Sequence, residues 1–261
     1  MVEFCTIASG SSGNSVCIGV GGKHFLVDAG ISGKRIEHAL FKMNVRNISG
    51  IFITHEHRDH ITGAGVMARR FKLNLYATPF TWRYFAYNKS LGALDAEQIK
   101  IIEPGKPIDI NGVKVTAFDI SHDAAQPVGY TFEAGGKKIA IATDLGHATN
   151  IVRSHLKDAN IIMLESNHDP VMLKNGPYHY ALKQRVAGKH GHLSNAEAGV
   201  LLAEVAGKQL EHVFLAHLSE DNNTPMMAFD TVKRILDGNN IPLKNLVVAE
   251  RHVPGRVVRC E

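Results

Sequence analysis

Residues 54–63 read THEHRDHITG and set His55, Glu56, His57, Asp59 and His60 within six positions. Imidazole nitrogens and carboxylate oxygens are the donors that hold divalent zinc, manganese or iron, and ligand type alone selects weakly among the three. The segment follows the apolar run Ile51, Phe52 and Ile53, so it is expected on a loop at the C-terminal end of a buried strand, where catalytic loops commonly project. In an extended loop, alternation sends His55 and His57 one way and Asp59 and His60 another, so a single loop can serve two ions. One ion alone needs three or four ligands, and the remainder must come from elsewhere. Three further strand ends offer them: His122 after VTAFDI, Asp144 closing IAIATD and His217 closing VFLAH. Asp28, ending the strand of HFLVDAG, is placed to orient a ligand rather than to bind an ion itself.

Positioning such groups requires a rigid frame, and the chain is long enough to build one. Short apolar runs bounded by Gly, Asn or Asp predict strands over Val2 to Ala8, Ser15 to Val20, His24 to Asp28, Ile51 to Thr54 and Leu73 to Ala77. Later runs predict Val113 to Asp119, Val128 to Glu133, Lys138 to Thr143, Ile161 to Leu164, His212 to Ala216 and Leu246 to Ala249. GVGGKHF and EAGGKKI read as hairpin turns. Ser194 and Glu197 form a capping box before AGVLLAEVA, and Thr224 followed by Pro225 starts another helix. Strands lead and helices follow in both halves. The expected class is α+β: one domain over residues 1–261, with two mixed sheets packed face to face and helices outside.

Composition narrows the setting. No apolar run approaches the roughly 18 residues of a membrane span, and the start shows no basic and apolar leader. Cys5, Cys17 and Cys260 form neither a CxxC pair nor a disulfide framework, which suits buried thiols in a reducing cytoplasm. Two stretches, residues 61–94 and 170–196, contain no Asp or Glu. The first carries Arg69, Arg70, Lys72, Arg83 and Lys89 among Phe71, Tyr76, Phe80, Trp82, Tyr84, Phe85 and Tyr87. The second carries Lys174, Lys183, Arg185 and Lys189 with Tyr178 and Tyr180. Basic residues mixed with aromatics suit phosphate contacts and base stacking; the competing reading is ordinary core and solvated surface.

HFLVDAG, THEHRDH, SHD, ATDLG and AHLS, in that order, resemble the five motifs of the metallo-β-lactamase fold along almost the whole chain. The resemblance implies an αββα sandwich with a dinuclear site at one edge. It gives one metal His55, His57 and His122, and the other Asp59, His60 and His217, with Asp144 bridging. LESNHD (164–169), GHLSNAEAGVLLAEVA (191–206) and AHLSEDNN (216–223) further resemble the motifs of tRNase Z-type nucleases, and ASGSSGNS (8–15) with LESNHD and GHLSN resembles more closely the bacterial exonucleases called YycJ or WalJ. That likeness implies a 5′ to 3′ DNA exonuclease, with His192, oriented by Glu165, protonating the leaving group; Asp59 is counted with them as catalytic. Two cations about 3.5–4 Å apart can stabilise both the entering and leaving oxygens of a phosphodiester.

Other expectations concern the substrate. Ser194 and Asn195 stand at a helix N-terminus, where free N–H groups attract phosphate. Ser11, Ser12 and Asn14, in the glycine-rich segment, are expected to contact phosphate or simply to form a turn. Asp221 to Asn223 either shape the site edge or only enter the Thr224 helix, and His147 and His168 stay ambiguous. No Gly/Pro-rich arm is inserted, and the 73 positions from Asp144 to His217 leave no room for an extra domain there, so recognition falls to a compact surface. The expected partner is nucleic acid, DNA before RNA, with no membrane; oligomeric state stays open, a homodimer included. The alternative reading is a small-molecule hydrolase of the same fold: a phosphonate-pathway phosphodiesterase, a thioesterase or a lactonase.

Overall fold

The computed structural model describes residues 1–243 and 245–261. Its first sheet contains β1 (Val2–Ala8), β2 (Ser15–Val20), β3 (Lys23–Val27), β4 (Ile51–Phe52), β5 (Leu75–Ala77) and β6 (Ile99–Ile101). The second contains β7 (Ile108–Asp109), β8 (Lys114–Asp119), β9 (Val128–Ala134), β10 (Lys137–Ala142), β11 (Ile161–Glu165), β12 (His212–Ala216) and β13 (Asn245–Val248). The last strand, β14 (Val258–Cys260), crosses back to the first sheet and pairs antiparallel with β1, Val2 opposite Cys260. Strand orders are β14-β1-β2-β3-β4-β5-β6 and β13-β12-β11-β10-β9-β8-β7. The halves are therefore not separate in space: the chain ends by closing the edge of the sheet it began.

The alternation of side chains explains the four layers. In β10, Ile139 and Ile141 face the other sheet, while Ala140 and Ala142 face helices. In β12, Phe214 and Ala216 face inward and Val213 and Leu215 outward. Both faces being apolar, each strand is buried on both sides, and each buried Ile or Leu contributes about 1.5–3 kcal/mol. Between the sheets, Phe25, Phe52, Phe132 and Tyr130 pack at ring separations of 5.1–5.9 Å for the Phe25–Phe52, Phe52–Phe132 and Phe52–Tyr130 pairs. The Tyr130 hydroxyl donates to the Ile53 carbonyl at 2.7 Å, tying the second sheet to the strand that leads into the histidine loop.

Helices α1 (Gly33–Lys42), α2 (Arg58–Ile61), α3 (Ala64–Phe71) and α4 (Pro79–Asn88) follow strands of the first sheet, and α1, α3 and α4 pack on its outer face. Next come α5 (Asn150–Leu156), α6 (Pro170–Asn175), α7 (Tyr180–Val186), α8 (Asn195–Val205) and α9 (Pro225–Gly238). Of these, α5, α8 and α9 cover the second sheet. The expected caps are formed: Ser194 Oγ accepts from the Glu197 N–H, and Thr224 Oγ1 from that of Met227. Both predicted glycine turns are present, with Gly21, Gly22, Gly135 and Gly136 all at positive φ, as a two-residue hairpin of the I′ kind requires.

Three strands escape the pattern reading. β6, β7 and β14 are two or three residues long, and β6 leaves Ile99 and Ile101 exposed. Such strands exist only because a neighbour supplies hydrogen bonds, which local periodicity does not encode. The predicted strand over Ile51 to Thr54 stops at Phe52, and that over Leu73 to Ala77 begins at Leu75. Tyr76 and Phe85, expected among the stacking aromatics, belong to the core: Tyr76 stacks on Phe52 at 4.4 Å, and Phe85 is on the buried face of α4.

Candidate metal centre

Along one edge of the sandwich, β3, β8, β10, β11 and β12 end on or just before Asp28, His122, Asp144, Glu165 and His217. Asp28, Asp144 and His217 have φ of 58°, 57° and 56°. A non-glycine residue in the left-handed region costs about 1 kcal/mol or more, and such strain collects where a side chain must be re-aimed. Here it falls on residues just past the ends of β3, β10 and β12, where the chain leaves the sheet.

The histidine loop departs from the extended form expected for it. Residues 58–61 are a helical turn, so helical geometry, not strand alternation, parts His55 and His57 from Asp59 and His60. The outcome is nevertheless two overlapping groups. Ligand-type atoms of His55, His57 and His122 lie within 4.8 Å of one another, as do those of Asp59, His60 and His217. Asp144 stands between them, with Oδ2 3.3 Å from His60 Nε2 and Oδ1 3.4 Å from His217 Nε2 and 3.9 Å from His122 Nε2.

Several rings are held through the nitrogen that faces away from this centre. His60 Nδ1 lies 2.7 Å from Asp28 Oδ2, and that carboxylate also accepts the Thr54 N–H and hydroxyl, each at 2.9 Å. His122 Nδ1 approaches the Gly191 carbonyl at 3.2 Å. His217 Nδ1 meets Glu165 Oε1 at 2.8 Å. A ring that donates one N–H to an acceptor presents the lone pair of its other nitrogen, which is how imidazoles are prepared for a cation. Asp28 is thus bonded to the ring nitrogen of His60 that faces away from the centre. Its substitution by asparagine is expected to lower metal affinity by about 10–100-fold, read by chelator competition; wild-type affinity would remove that role.

The residues present fit divalent ions on two counts. Asp144 Oδ2 and His217 Nε2 are buried side-chain atoms with no hydrogen-bond partner, and both point into the cluster. Burial alone would strip charge from His60 and His217. Yet Asp28, Asp144 and Asp59 hold the first well above the ordinary histidine range. Asp144, Asp59 and Glu165 push the second up to about 10. The donor set is therefore strongly cation-attracting. His55 and His122, in contrast, are kept down, burial being the largest cause, and so are neutral donors near pH 7.

Glu165 is the hub on the second sheet. It is fully buried; Oε1 meets His192 Nδ1 and His217 Nδ1, both at 2.8 Å, and Oε2 accepts the N–H groups of Leu145 at 2.7 Å and Leu193 at 3.1 Å. Burial alone would push its pKa up, but the charge and hydrogen bonds of His192 and His217 outweigh that and hold the carboxyl below its usual range. His192 is half-buried and lines the cleft, with no partner on Nε2 among the described residues.

Three expected substrate contacts are committed elsewhere. The Ser194 hydroxyl caps α8 and donates to Glu197 Oε2 at 2.6 Å. Asn195 is buried and forms a reciprocal amide pair with Asn223, each bond 2.9 Å, while accepting from the Ser166 hydroxyl. Asn14 is buried too: its oxygen accepts the Gly10 N–H, and its Nδ2 lies 3.3 Å from Asp59 Oδ2 and 3.1 Å from His60 Nε2. Ser11 and Ser12 alone of the predicted loop contacts are exposed. Asn223 also donates to the carbonyls of Ser166 and Asn167, so it builds the floor beneath the site as well as the turn. His168 is buried against the start of α8, and His147 is exposed, its Nδ1 3.0 Å from the Lys189 carbonyl.

Sequence reasoning missed other contributors. Ser9 accepts the His217 N–H at 2.8 Å, and Glu56 Oε1 accepts the Ala125 N–H at 2.6 Å, anchoring the His122 loop. Ser9 lies in the quoted ASGSSGNS and Glu56 inside HxHxDH, so position was the available signal. Ser219, also missed, lines the cleft of about 230 Å³ over the centre, together with Tyr178 and Arg185 of the second acid-free stretch, Arg185 paired with Asp123 at 2.6 Å.

Comparison with known proteins follows the same outline. Residues 23–248 match the family described as the beta-lactamase superfamily domain. The chain is 40% identical over 239 residues to Exodeoxyribonuclease YycJ of Bacillus anthracis, covering 90% of this chain and 89% of that protein. It is 37% identical to Exodeoxyribonuclease WalJ of Streptococcus pneumoniae, covering 88% and 86%. Among solved structures, zinc-bound PqqB from Methylobacterium extorquens superposes with a TM-score of 0.73 over 99% of this chain and 100% of its own, at 16% identity. That last likeness concerns fold alone.

Proposed function

Because this chain belongs to the beta-lactamase superfamily and, within it, to the family of the exodeoxyribonucleases YycJ and WalJ, we propose that this metal-dependent hydrolase is a DNA exonuclease. The substrate is a DNA strand degraded from its 5′ end, and the ions are two zinc or manganese, iron being the third choice. The observation that carries the reading is the convergence of both ligand groups on Asp144, with its orphaned Oδ2, beside the Glu165–His192 pair. His55, His57 and His122 would hold one ion and Asp59, His60 and His217 the other. Bound there, the ions supply a water nucleophile active at neutral pH and neutralise charge on the phosphodiester.

The chain's own residues do the rest. Glu165 fixes the His192 ring so that Nε2 faces the cleft, within which it donates a proton to the departing alkoxide. Positioned proton transfer of this kind is worth about 10²–10⁴-fold. His192→Ala is therefore expected to slow cleavage by that factor with metal content unchanged; loss of metal would make His192 a ligand instead. Asp28 and Asn14 hold His60 and Asp59 in register, and Ser9 holds the His217 backbone.

Recognition of a polymer is supported by α4. Phe80, Arg83, Tyr84 and Tyr87 recur at i, i+3, i+4 and i+7 and all are exposed, a stripe of rings with one guanidinium suited to stacked bases. The helix start is tied to the loop after His122: Thr78 Oγ1 donates to the Gln126 carbonyl at 3.1 Å and the Phe80 N–H to Gln126 Oε1 at 3.3 Å. Among the described residues no helix is long and apolar enough to cross a membrane, and the three cysteines are buried free thiols, which suits a reducing cytoplasm.

The deciding experiment is digestion of end-labelled single- and double-stranded DNA and RNA by metal-stripped protein, resupplied separately with manganese and zinc. Metal-dependent release of mononucleotides from the 5′ end of DNA is the expected result. Turnover of a small phosphodiester or thioester with every polymer left intact would replace this reading with the small-molecule hydrolase.

A further inference from the structure

Away from the metals, α1 and α3 leave a cavity of about 580 Å³ between their C-terminal ends and the chain over residues 44–48. β3 and β4 are parallel and both end toward the metal centre, so α1, which joins them, carries the chain back to the opposite edge. Its 10 residues cover about 15 Å at 1.5 Å per residue. The floor of the cavity is aliphatic: Leu40, Met67 and Leu73 come from the core cluster under these helices. Phe41 and Phe71 stand at the mouth, 80% and 42% exposed. A single exposed ring is ordinary, but two rings beside an opening onto the core form the kind of apolar patch that marks an interaction site.

The charge around this mouth has one sign. From His38 to His55, and again from Ile61 to Leu94, the chain carries no Asp or Glu. The acid in the lining, Glu37, is held by Arg70 through two contacts of 3.0 Å, and the Arg70 guanidinium lies 5.4 Å over the Phe71 ring. Arg46 in the lining is exposed and has no ion pair among the described residues. The same holds for Lys42 and Lys72, each next to a lining residue in the chain. Both helices end here, and each brings about half an elementary negative charge. Three whole positive charges exceed that, so the field at the mouth is positive.

We propose that this groove docks an acidic peptide segment of a partner protein, one that sets bulky apolar side chains among Asp and Glu. The apolar residues fill the floor and pack on Phe41 and Phe71, while the carboxylates meet Lys42, Arg46 and Lys72. Met67 on the floor suits this, because an unbranched thioether adapts to the side chain it receives. A nucleic acid fits less well: its phosphates would find the cations, but the aliphatic floor offers no donor or acceptor to a base edge. A bilayer fits less well again, because a flat interface does not reach a concave floor. The docked segment stays about the length of α1 from the metals. It tethers the enzyme without entering the reaction, whichever substrate is cleaved.

The test immobilises the metal-loaded chain, selects binders from a phage-displayed library of random peptides, and measures the enriched sequence as a dye-labelled peptide by anisotropy. The expected consensus places Phe, Leu or Met among Asp and Glu. Phe41→Ala and Arg46→Glu are each expected to weaken that peptide by at least about tenfold, with melting temperature and metal content as in the wild type. Arg46→Lys keeps most of the affinity, and added salt lowers it. A consensus that is basic or lacks bulky apolar residues overturns the docking site. So does an affinity that survives in both Phe41→Ala and Arg46→Glu, or a selection that enriches nothing. An oligodeoxynucleotide and vesicles of phosphatidylglycerol with phosphatidylcholine are run against the same variants. If either of these, and no peptide, loses affinity in both, the face belongs to nucleic acid or to membrane and the peptide assignment falls.

Discussion

Asp144→Ala is expected to lower turnover by about 10³-fold or more and to leave the protein unable to hold its full complement of metal. The carboxylate is almost wholly buried and touches three histidines: His60, His217 and His122, at 3.3, 3.4 and 3.9 Å. Among the described residues the other acidic groups of the centre reach histidines of one cluster only: Asp59 lies by His60 and His217, and Glu165 is spent on His192 and His217. Losing it removes the carboxylate proposed to be shared by both ions, and the remaining histidines repel one another. Lewis-acid assistance is worth several kcal/mol, and about 4 kcal/mol corresponds to a thousandfold. Metal analysis alongside kcat checks it. Full activity with full metal would mean that the catalytic centre lies elsewhere on the molecule.

Gly30→Ala is expected to do comparable damage without removing any chemical group. The added methyl would sit 1.6 Å from the Asp59 carbonyl oxygen and 2.7 Å from the Asn14 N–H nitrogen, both backbone atoms. Those atoms already bond each other, Asn14 N–H to Asp59 carbonyl at 2.7 Å, with the Gly30 N–H donating to the Asn14 carbonyl at 2.7 Å. No rotamer change relieves such a contact, so a loop must move. Overpacking of this kind costs about 1–3 kcal/mol and more where backbone is displaced. The loop that moves carries Asp59 and His60 or holds them. A fall in melting temperature together with weakened metal binding is expected, and an unchanged melting curve and metal affinity would show that the glycine approach is not what fixes the ligand loop. Gly30→Ser serves as a second variant and should behave no better.

The chemistry of the site was legible because its residues cluster in sequence or close apolar strands. HxHxDH, His122, Asp144 and His217 each follow a buried run, and a buried run that ends on a titratable residue announces itself. Glu165 and His192 were legible through the motifs they stand in, although that Glu165 also holds His217 was not. The helix caps at Ser194 and Thr224 were equally local, since an N-cap is decided within three residues.

What escaped was whatever depends on a partner distant in the chain. Nothing local in the Gly-Ser segment tells that Asn14 and Ser9 turn inward to hold Asp59 and His217, leaving only Ser11 and Ser12 outward. The side chains of Ser194 and Asn195 stand at a helix start that ought to meet phosphate, yet a capping box and an amide pair with Asn223 consume them. The pairing of β14 with β1 joins the two ends of the chain, a register no window can reveal. The sequence by itself determined the ligand types, the apolar strands that carry them and the caps that start the helices, because those are matters of composition and short-range spacing. Which hydroxyls and amides remain free for a substrate, and which cations are left without a counter-charge, was decided only when folding assigned every buried polar group its partner.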